Sequence, residues 1–164
     1  MLIEVRDQRD PAIVQLVSEQ RAELAAAEGE AHISYPVRTE IEFVAGFVNG
    51  WAVACGAVQS LGHGVGEIKR MYVRPSYRGQ GLSRLILAAL EEQAVLRGYH
   101  TLRLETGNYL APALGLYRGA GYRPIPLFGE YVDNPRSVCF EKILDPGGDP
   151  QVPTVTGGAS VSSG

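Results

Sequence analysis

Apolar and polar residues alternate over Leu2–Arg6, a period that predicts a first strand. Asp10-Pro11 then has the form of a helix cap followed by proline at the first helical position. Ile13, Leu16, Val17 and Leu24 form a helical stripe that runs to about Glu28, where Gly29 ends it. Residues 30–40 carry no periodic signal. Ile41–Val48 and Trp51–Gln59 are β-rich runs separated by Asn49-Gly50, a pair that tolerates positive φ and so predicts a tight hairpin. Leu61–Gly66 is read as a flexible link and Glu67–Val73 as a further strand stopped by Pro75. The strongest helix spans Leu82–Arg97, with Leu82, Leu85, Ile86, Ala89 and Leu90 on one face and Gly98 at its end. A short strand at Thr101–Glu105, a short helix at Pro112–Arg118 and a last strand at Ser137–Leu144 complete the order β-α-(ββ)-β-α-β-α-β. This is a single α/β (α+β) domain with a mixed sheet over about residues 1–144. Asp145–Gly164, rich in Gly, Pro, Ser and Thr without a period, reads as a disordered tail.

Composition narrows the function. With 45% apolar residues the chain can build a core, and no apolar run is long enough to span a membrane. A net charge of −3 argues against a general nucleic-acid binder. The charged N-terminus lacks the apolar core of a signal peptide, so a cytoplasmic location is expected. Cys55 and Cys139, each inside an apolar run, read as buried free thiols, and the three scattered histidines have no metal-ligand spacing. His32 and His63 lie in irregular segments and read as solvated.

The chemistry concentrates in Val73-Arg-Pro-Ser-Tyr-Arg-Gly-Gln-Gly-Leu-Ser-Arg84, where a strand ends, two glycines follow and a helix starts. Gly79 and Gly81 allow positive φ and close approach of a ligand to the backbone. The first helical turn offers unpaired N–H groups and a partial positive charge, an arrangement suited to pyrophosphate. Arg78 and Arg84 add full charges, and Ser83 adds a hydroxyl. The plainer reading is a strand–turn–helix whose glycines serve packing. The segment is neither a dinucleotide fingerprint, lacking the third glycine, nor a P-loop, lacking Gly-Lys-Ser/Thr.

The stretch from Gly66 to Pro124 resembles the GNAT superfamily of acetyl-CoA-dependent N-acetyltransferases. The family pattern Gln/Arg-x-x-Gly-x-Gly/Ala is matched by Arg78-Gly-Gln-Gly81-Leu-Ser83, with Ser in the last position. Met71-Tyr-Val-Arg-Pro75 is similar to the strand that precedes it in the family, and Leu116-Tyr117 with Gly121-Tyr122 to the family's later Leu-Tyr…Gly-Phe segment. The resemblance covers roughly residues 40–142. It implies a splayed mixed sheet flanked by helices and acetyl-CoA as co-substrate without a metal. It also implies direct transfer of the acetyl group to an amine in a ternary complex, the acceptor being a small amine, an amino acid or a peptide, and homodimers are frequent in the family.

Carried over residue by residue, the resemblance assigns Met71, Tyr72 and Val73 to pairing with the pantetheine arm. It assigns Arg78, Gly79, Gln80, Gly81, Leu82, Ser83 and Arg84 to the pyrophosphate, and Asn108 to a further cofactor contact. Tyr117 is expected to return a proton to the departing thiolate; the plainer reading is a core aromatic. Glu67 is the candidate base, with a solvated glutamate at a strand start as the other reading. Glu105, at the end of the next strand, can hold the substrate ammonium or act as the base itself, and a water chain is the third option. The Phe128-Gly-Glu-Tyr131 loop and Arg136 fall where the family builds its acceptor pocket, so Tyr131 and Arg136 are expected to contact the acceptor, Arg136 favouring a carboxylate; a solvent-exposed hairpin is the alternative. A non-catalytic acyl-CoA-binding module and a nucleotide-binding regulatory domain are the competing functions.

Overall fold

The computed structural model describes residues 1–37 and 41–144. The expected disordered tail at 145–164 lies outside them. Among the described residues seven strands form one sheet: β1 (Leu2–Asp7), β2 (Glu42–Val48), β3 (Trp51–Gly62), β4 (Val65–Val73), β5 (Thr101–Gly107), β6 (Arg123–Ile125) and β7 (Ser137–Ile143), in the spatial order β1-β2-β3-β4-β5-β7-β6. Every neighbouring pair is antiparallel except β4 and β5, which run parallel because a helix carries the chain back between them. The helices are α1 (Pro11–Glu28), α2 (Leu82–Leu96) and α3 (Ala111–Gly119).

Local chemistry sets most of these boundaries. The Asp10 side chain accepts from the Ala12 N–H at 2.9 Å, and Pro11 opens α1. Asn49 and Gly50 both take positive φ, 50° and 81°, as the β2–β3 hairpin requires. The expected flexible link at Leu61–Gly66 is instead a second tight hairpin: β3 continues to Gly62, β4 begins at Val65, and His63 and Gly64 turn at φ 55° and 76°. His63 is therefore a turn residue whose carbonyl meets His100 Nε2 at 2.9 Å. The short edge strand β6 escapes sequence reading because its three residues contain Pro124, a residue confined to sheet edges.

Two cores follow from the two faces. On one, Ile13 and Leu16 of α1 pack on Phe43, Ala45, Cys55, Ala57 and Tyr72. On the other, Ile86, Leu87 and Leu90 of α2 meet Val44, Val53, Val58, Ile68 and Val73, and Tyr117 of α3 joins Tyr122 and Phe140. Helix α2 comes very close to the sheet at Gly56, where an added Cβ would lie 2.8 Å from Leu90 Cδ1 and 3.1 Å from Ile86 Cγ2. Cys55 has no exposed surface, and burial pushes its thiol up to about 12, so it is an inert core residue. Ile86 is fully buried at the centre of the larger core. Replacing it with alanine should lower unfolding free energy by about 2–5 kcal/mol, measured by urea denaturation followed by circular dichroism.

Candidate active site

The site begins where two strands part. β4 and β5 share a ladder over only three positions, Val65/Thr101, Gly66/Leu102 and Glu67/Arg103. Beyond it β4 follows β3 to Ala54/Val73, while β5 follows β7 to Gly107/Ser137. A wedge opens between them with main-chain groups along its edge. Arg74 N–H donates to Val53 O at 2.8 Å, so strand alternation turns the Val73 N–H and carbonyl the other way, toward the wedge. A bulge interrupts β4 here: Cys55 faces Tyr72 but Ala57 faces Lys69, and Arg70 takes φ 61°. The extra residue shifts the phase of the strand. Ile68, Met71 and Val73 meet the α2-side core, and Tyr72 meets the α1-side core.

The wedge is the floor of a cavity of about 970 Å³. That is at the upper end of ordinary ligand pockets, about 300–1,000 Å³, and leaves room for two substrates. One end is the turn into α2. Gly79 and Gly81 line it at φ 78° and 81°, with open space where each Cβ would stand, so the backbone conformation is what demands glycine. Gly81 caps α2 without any side-chain hydrogen bond. The first-turn N–H groups, including those of Leu82 and Ser83, therefore face the cavity uncapped. Arg84 lines the cavity, and among the described residues its guanidinium has no hydrogen-bond or ion-pair partner. Arg78 differs from expectation. Its Nη2 is shared by both oxygens of Glu23 at 2.9 Å, its Nε donates to the Val73 carbonyl at 2.8 Å, and its charge is thus engaged with α1.

Tyr117 lies at the middle of the cavity wall, 6% exposed, its ring edge-on to Tyr122 at 5.8 Å. Among the described residues its hydroxyl makes no hydrogen bond. Burial, and then the charge of Glu105, push its pKa upward, so the phenol keeps its proton. Glu105 lines the same wall and accepts from Ser137 Oγ at 2.6 Å. Burial raises its carboxyl above the ordinary 4.5, against that hydrogen bond and the Lys69 charge.

The other end of the cavity is built from distant segments. Tyr131, Tyr35, Arg70, Lys69 and Arg136 line it. Tyr131 is 2% exposed, which excludes an exposed hairpin at Phe128–Tyr131; its ring meets Tyr35 edge-on at 4.7 Å. The Tyr131 hydroxyl donates to Glu67 Oε2 at 2.5 Å and accepts from Lys69 Nζ at 3.0 Å. Glu67, also 2% exposed, takes a further bond from Gln59 Nε2 at 3.1 Å. It is neither solvated nor at the cavity wall: Tyr131 closes it off from the space where a base would act.

Sequence comparison matches residues 9–122 to the profile of the acetyltransferase (GNAT) family. The chain belongs to that family. It is 35% identical to the "IAA acetyltransferase" of Azospirillum brasilense over 139 residues, 81% of this chain and 91% of that protein. A crystal structure of a Klebsiella pneumoniae protein, named for acyl-CoA N-acyltransferase activity, superposes with a TM-score of 0.74 at 35% identity. That match covers 88% of this chain and 99% of the other. The GNAT acetyltransferase of Elizabethkingia anophelis, solved with acetyl-CoA bound, shares the fold at a TM-score of 0.63 and 17% identity, over 87% of this chain and 98% of its own. The protein is accordingly an acyltransferase with the GNAT mixed sheet.

Within this GNAT chain, the residues singled out from sequence divide clearly. The cavity gathers Met71, Tyr72, Val73, Arg78, Gly79, Gly81, Leu82, Ser83, Arg84, Glu105, Tyr117, Tyr131 and Arg136. Gln80 is exposed outside it, and so is Asn108, whose N–H donates to Arg136 O at 2.8 Å while its neighbour Tyr109 reaches the wall. Sequence reading missed Lys69, Arg70, Tyr35 and Gln20. Gln20 Nε2 donates to Met71 O at 2.7 Å, and its Oε1 is buried without a partner among the described residues. The charged pair Lys69-Arg70, set just before Met71 in β4, was an available signal.

Glu105 generates a stability prediction. A carboxyl whose folded pKa exceeds its unfolded value costs nothing when protonated in both states, and destabilises the fold as pH climbs past the folded value. Glu105→Gln should therefore melt higher than wild type near neutral pH. The gain should shrink as pH falls toward 4.5, read by thermal scans across pH.

Proposed function

We propose that the protein moves the acetyl group of acetyl-CoA to an amine by direct attack, with both substrates held in the one cavity. The observation that carries this reading is the joining of three features in that cavity. They are the uncapped glycine turn of α2, the open edge of β4, and the unbonded hydroxyl of Tyr117.

The N–H groups of Gly79, Gly81, Leu82 and Ser83 and the Arg84 guanidinium offer a site for pyrophosphate at a helix N-terminus. Arg78 joins them on exchanging its ion pair with Glu23. Both side chains are nearly half exposed, and such a pair is worth only about 0–1 kcal/mol, so the exchange is easy. The wedge edge of β4 from Met71 to Val73 pairs with the amide groups of the pantetheine arm in the manner of an added strand, the arm's N–H groups replacing Gln20 Nε2 and Arg78 Nε on the Met71 and Val73 carbonyls. The same edge supplies main-chain donors to the thioester carbonyl as negative charge develops there.

An ammonium acceptor must lose a proton before it attacks. Glu105 takes that role: it is on the wall, and its raised pKa makes it a stronger base than an ordinary carboxylate. Glu67 sits behind Tyr131 and acts by fixing that ring. Tyr117 remains protonated and donates to the departing sulfur. Its raised pKa makes outright transfer to a thiolate, with pKa near 8.5, uphill; its part is a hydrogen bond that strengthens as charge builds on sulfur. Two buried free cysteines suit a reducing compartment, and cytoplasmic residence goes with this reading.

Thiol release from acetyl-CoA over an amine panel, with calorimetry of acetyl-CoA binding, tests the assignment. A well-folded preparation that binds no acetyl-CoA defeats it. Tyr117→Phe should lower kcat by about 10²-fold and leave the KM for acetyl-CoA unchanged; an unaltered kcat removes the tyrosine from the chemistry. The acidic limb of kcat/KM should lie above the ordinary carboxylate range and vanish in Glu105→Gln, as a pH–rate profile would reveal.

A further inference from the structure

The acceptor end of the cavity has a charge pattern that the transfer chemistry does not use. The β4 bulge puts Arg70 on the same side as Lys69, facing α1 and the Tyr35 segment. Arg70 is half-buried. Its Nη2 donates to the Tyr35 carbonyl at 3.1 Å, and among the described residues it meets no carboxylate. Arg136, across the wedge beside β5, lies over the Tyr109 ring at 5.0 Å and likewise pairs with no carboxylate among the described residues. Arg21 lines the cavity near Arg70, and its charge acts against that of Arg70.

Among the described residues two carboxylates line this end, and both are engaged; Glu130 acts on Lys69 and Tyr131 from outside the lining. Glu28 accepts from the Tyr109 hydroxyl and meets His32 Nδ1 at 2.7 Å, and Glu105 accepts from Ser137. Glu67 is closed off behind Tyr131, where Lys69 Nζ lies 3.8 Å from its Oε2. The wall therefore presents guanidinium groups without anionic partners beside one carboxylate suited to an amine. A half-buried guanidinium lacking a counter-charge has lost hydration without compensation, and a carboxylate restores it through paired, charge-assisted hydrogen bonds.

We infer that the acceptor is an amine that carries its own carboxylate, of the free amino-acid type, with its acid group held by Arg70 and Arg136 and its nitrogen toward Glu105. This rests on the acetyltransferase reading and adds the substrate class to it. A polyamine or a protein lysine brings further positive charge to a wall that already has a surplus, and both are disfavoured. Tyr35 and Tyr131, edge-on beside Arg70, give the acceptor's carbon skeleton an aromatic surface.

The test uses matched pairs that differ in the carboxylate alone: tyrosine with tyramine, phenylalanine with phenethylamine, lysine with cadaverine, together with a lysine-bearing peptide. Thiol release at saturating acetyl-CoA gives kcat/KM for each. The acid members should exceed their partners by about tenfold or more, the equivalent of about 1.4 kcal/mol. Arg70→Gln and, independently, Arg136→Gln should raise the KM for the acid and erase the preference while the KM for acetyl-CoA holds. Arg70→Lys should restore part of it. Equal or faster transfer to the decarboxylated members or the peptide overturns the inference and leaves acetyl transfer intact. No transfer to any acceptor also overturns it, and calorimetry of acetyl-CoA on the same preparation then tells whether the acetyltransferase reading falls as well.

Discussion

The site depends on two neighbouring strands that cannot stay paired. β4 is bound to β3 on both sides of its bulge and β5 to β7 along its whole length, and the two ribbons diverge after Glu67 and Arg103. In a continuous sheet the wedge-side main-chain groups of Met71–Val73 would be spent on a parallel ladder. Left without a partner strand at the edge of a rigid sheet, they form a preorganised row whose carbonyls, at Met71 and Val73, are taken by the side chains of Gln20 and Arg78. The bulge at Arg70 belongs to the same construction, since it reverses which side chains face the cavity just where the strands separate. The glycine turn into α2 then falls at the far end of the wedge because α2 is the crossover that makes β4 and β5 parallel.

The polar groups around the wedge are layered. Closest to the glycine turn stand uncapped main-chain donors and Arg84, which offer positive charge without a protein partner among the described residues. In the middle, Tyr117 and Glu105 share a wall, and burial pushes both pKa values upward, so one stays a donor and the other becomes a better base. Beyond them, Lys69, Tyr131 and Glu67 form a chain of two hydrogen bonds, with Lys69 Nζ 3.8 Å from Glu67 Oε2. Burial lowers the Lys69 pKa while Glu67 raises it, so the two charges support each other inside the domain. A chain of this kind is costly to break, and it holds the Tyr131 ring in one place at the Tyr35 end of the cavity.

The amino-acid sequence determined the features that arise within a few residues. The Asp10-Pro11 cap, the Asn49-Gly50 hairpin, the amphipathic stripe of α2 and the glycines of its entry turn each depend on local φ/ψ preference or on a repeat of 3.6. Those terms act before any tertiary contact forms, so they can be read along the chain. The tight turn at His63-Gly64 was less visible, because Gly62 and Gly66 interrupt the apolar alternation on both sides of it. The three-residue β6, with its proline, gave no periodic signal at all.

Tertiary structure alone decided which charges are free and which are spent. Glu67 resembles a cavity base until Tyr131, 64 positions away, covers it; Arg78 resembles a free phosphate ligand until Glu23, 55 positions away, takes its guanidinium. Lys69 and Arg70 face the Tyr35–Tyr131 end of the cavity because one extra residue shifts the strand, an event absent from a period-two pattern. The reason is physical: electrostatic pairing and desolvation depend on distance in space, and the packing of α1 and of the segments around Tyr35 and Tyr131 sets those distances. Sequence separation does not encode them.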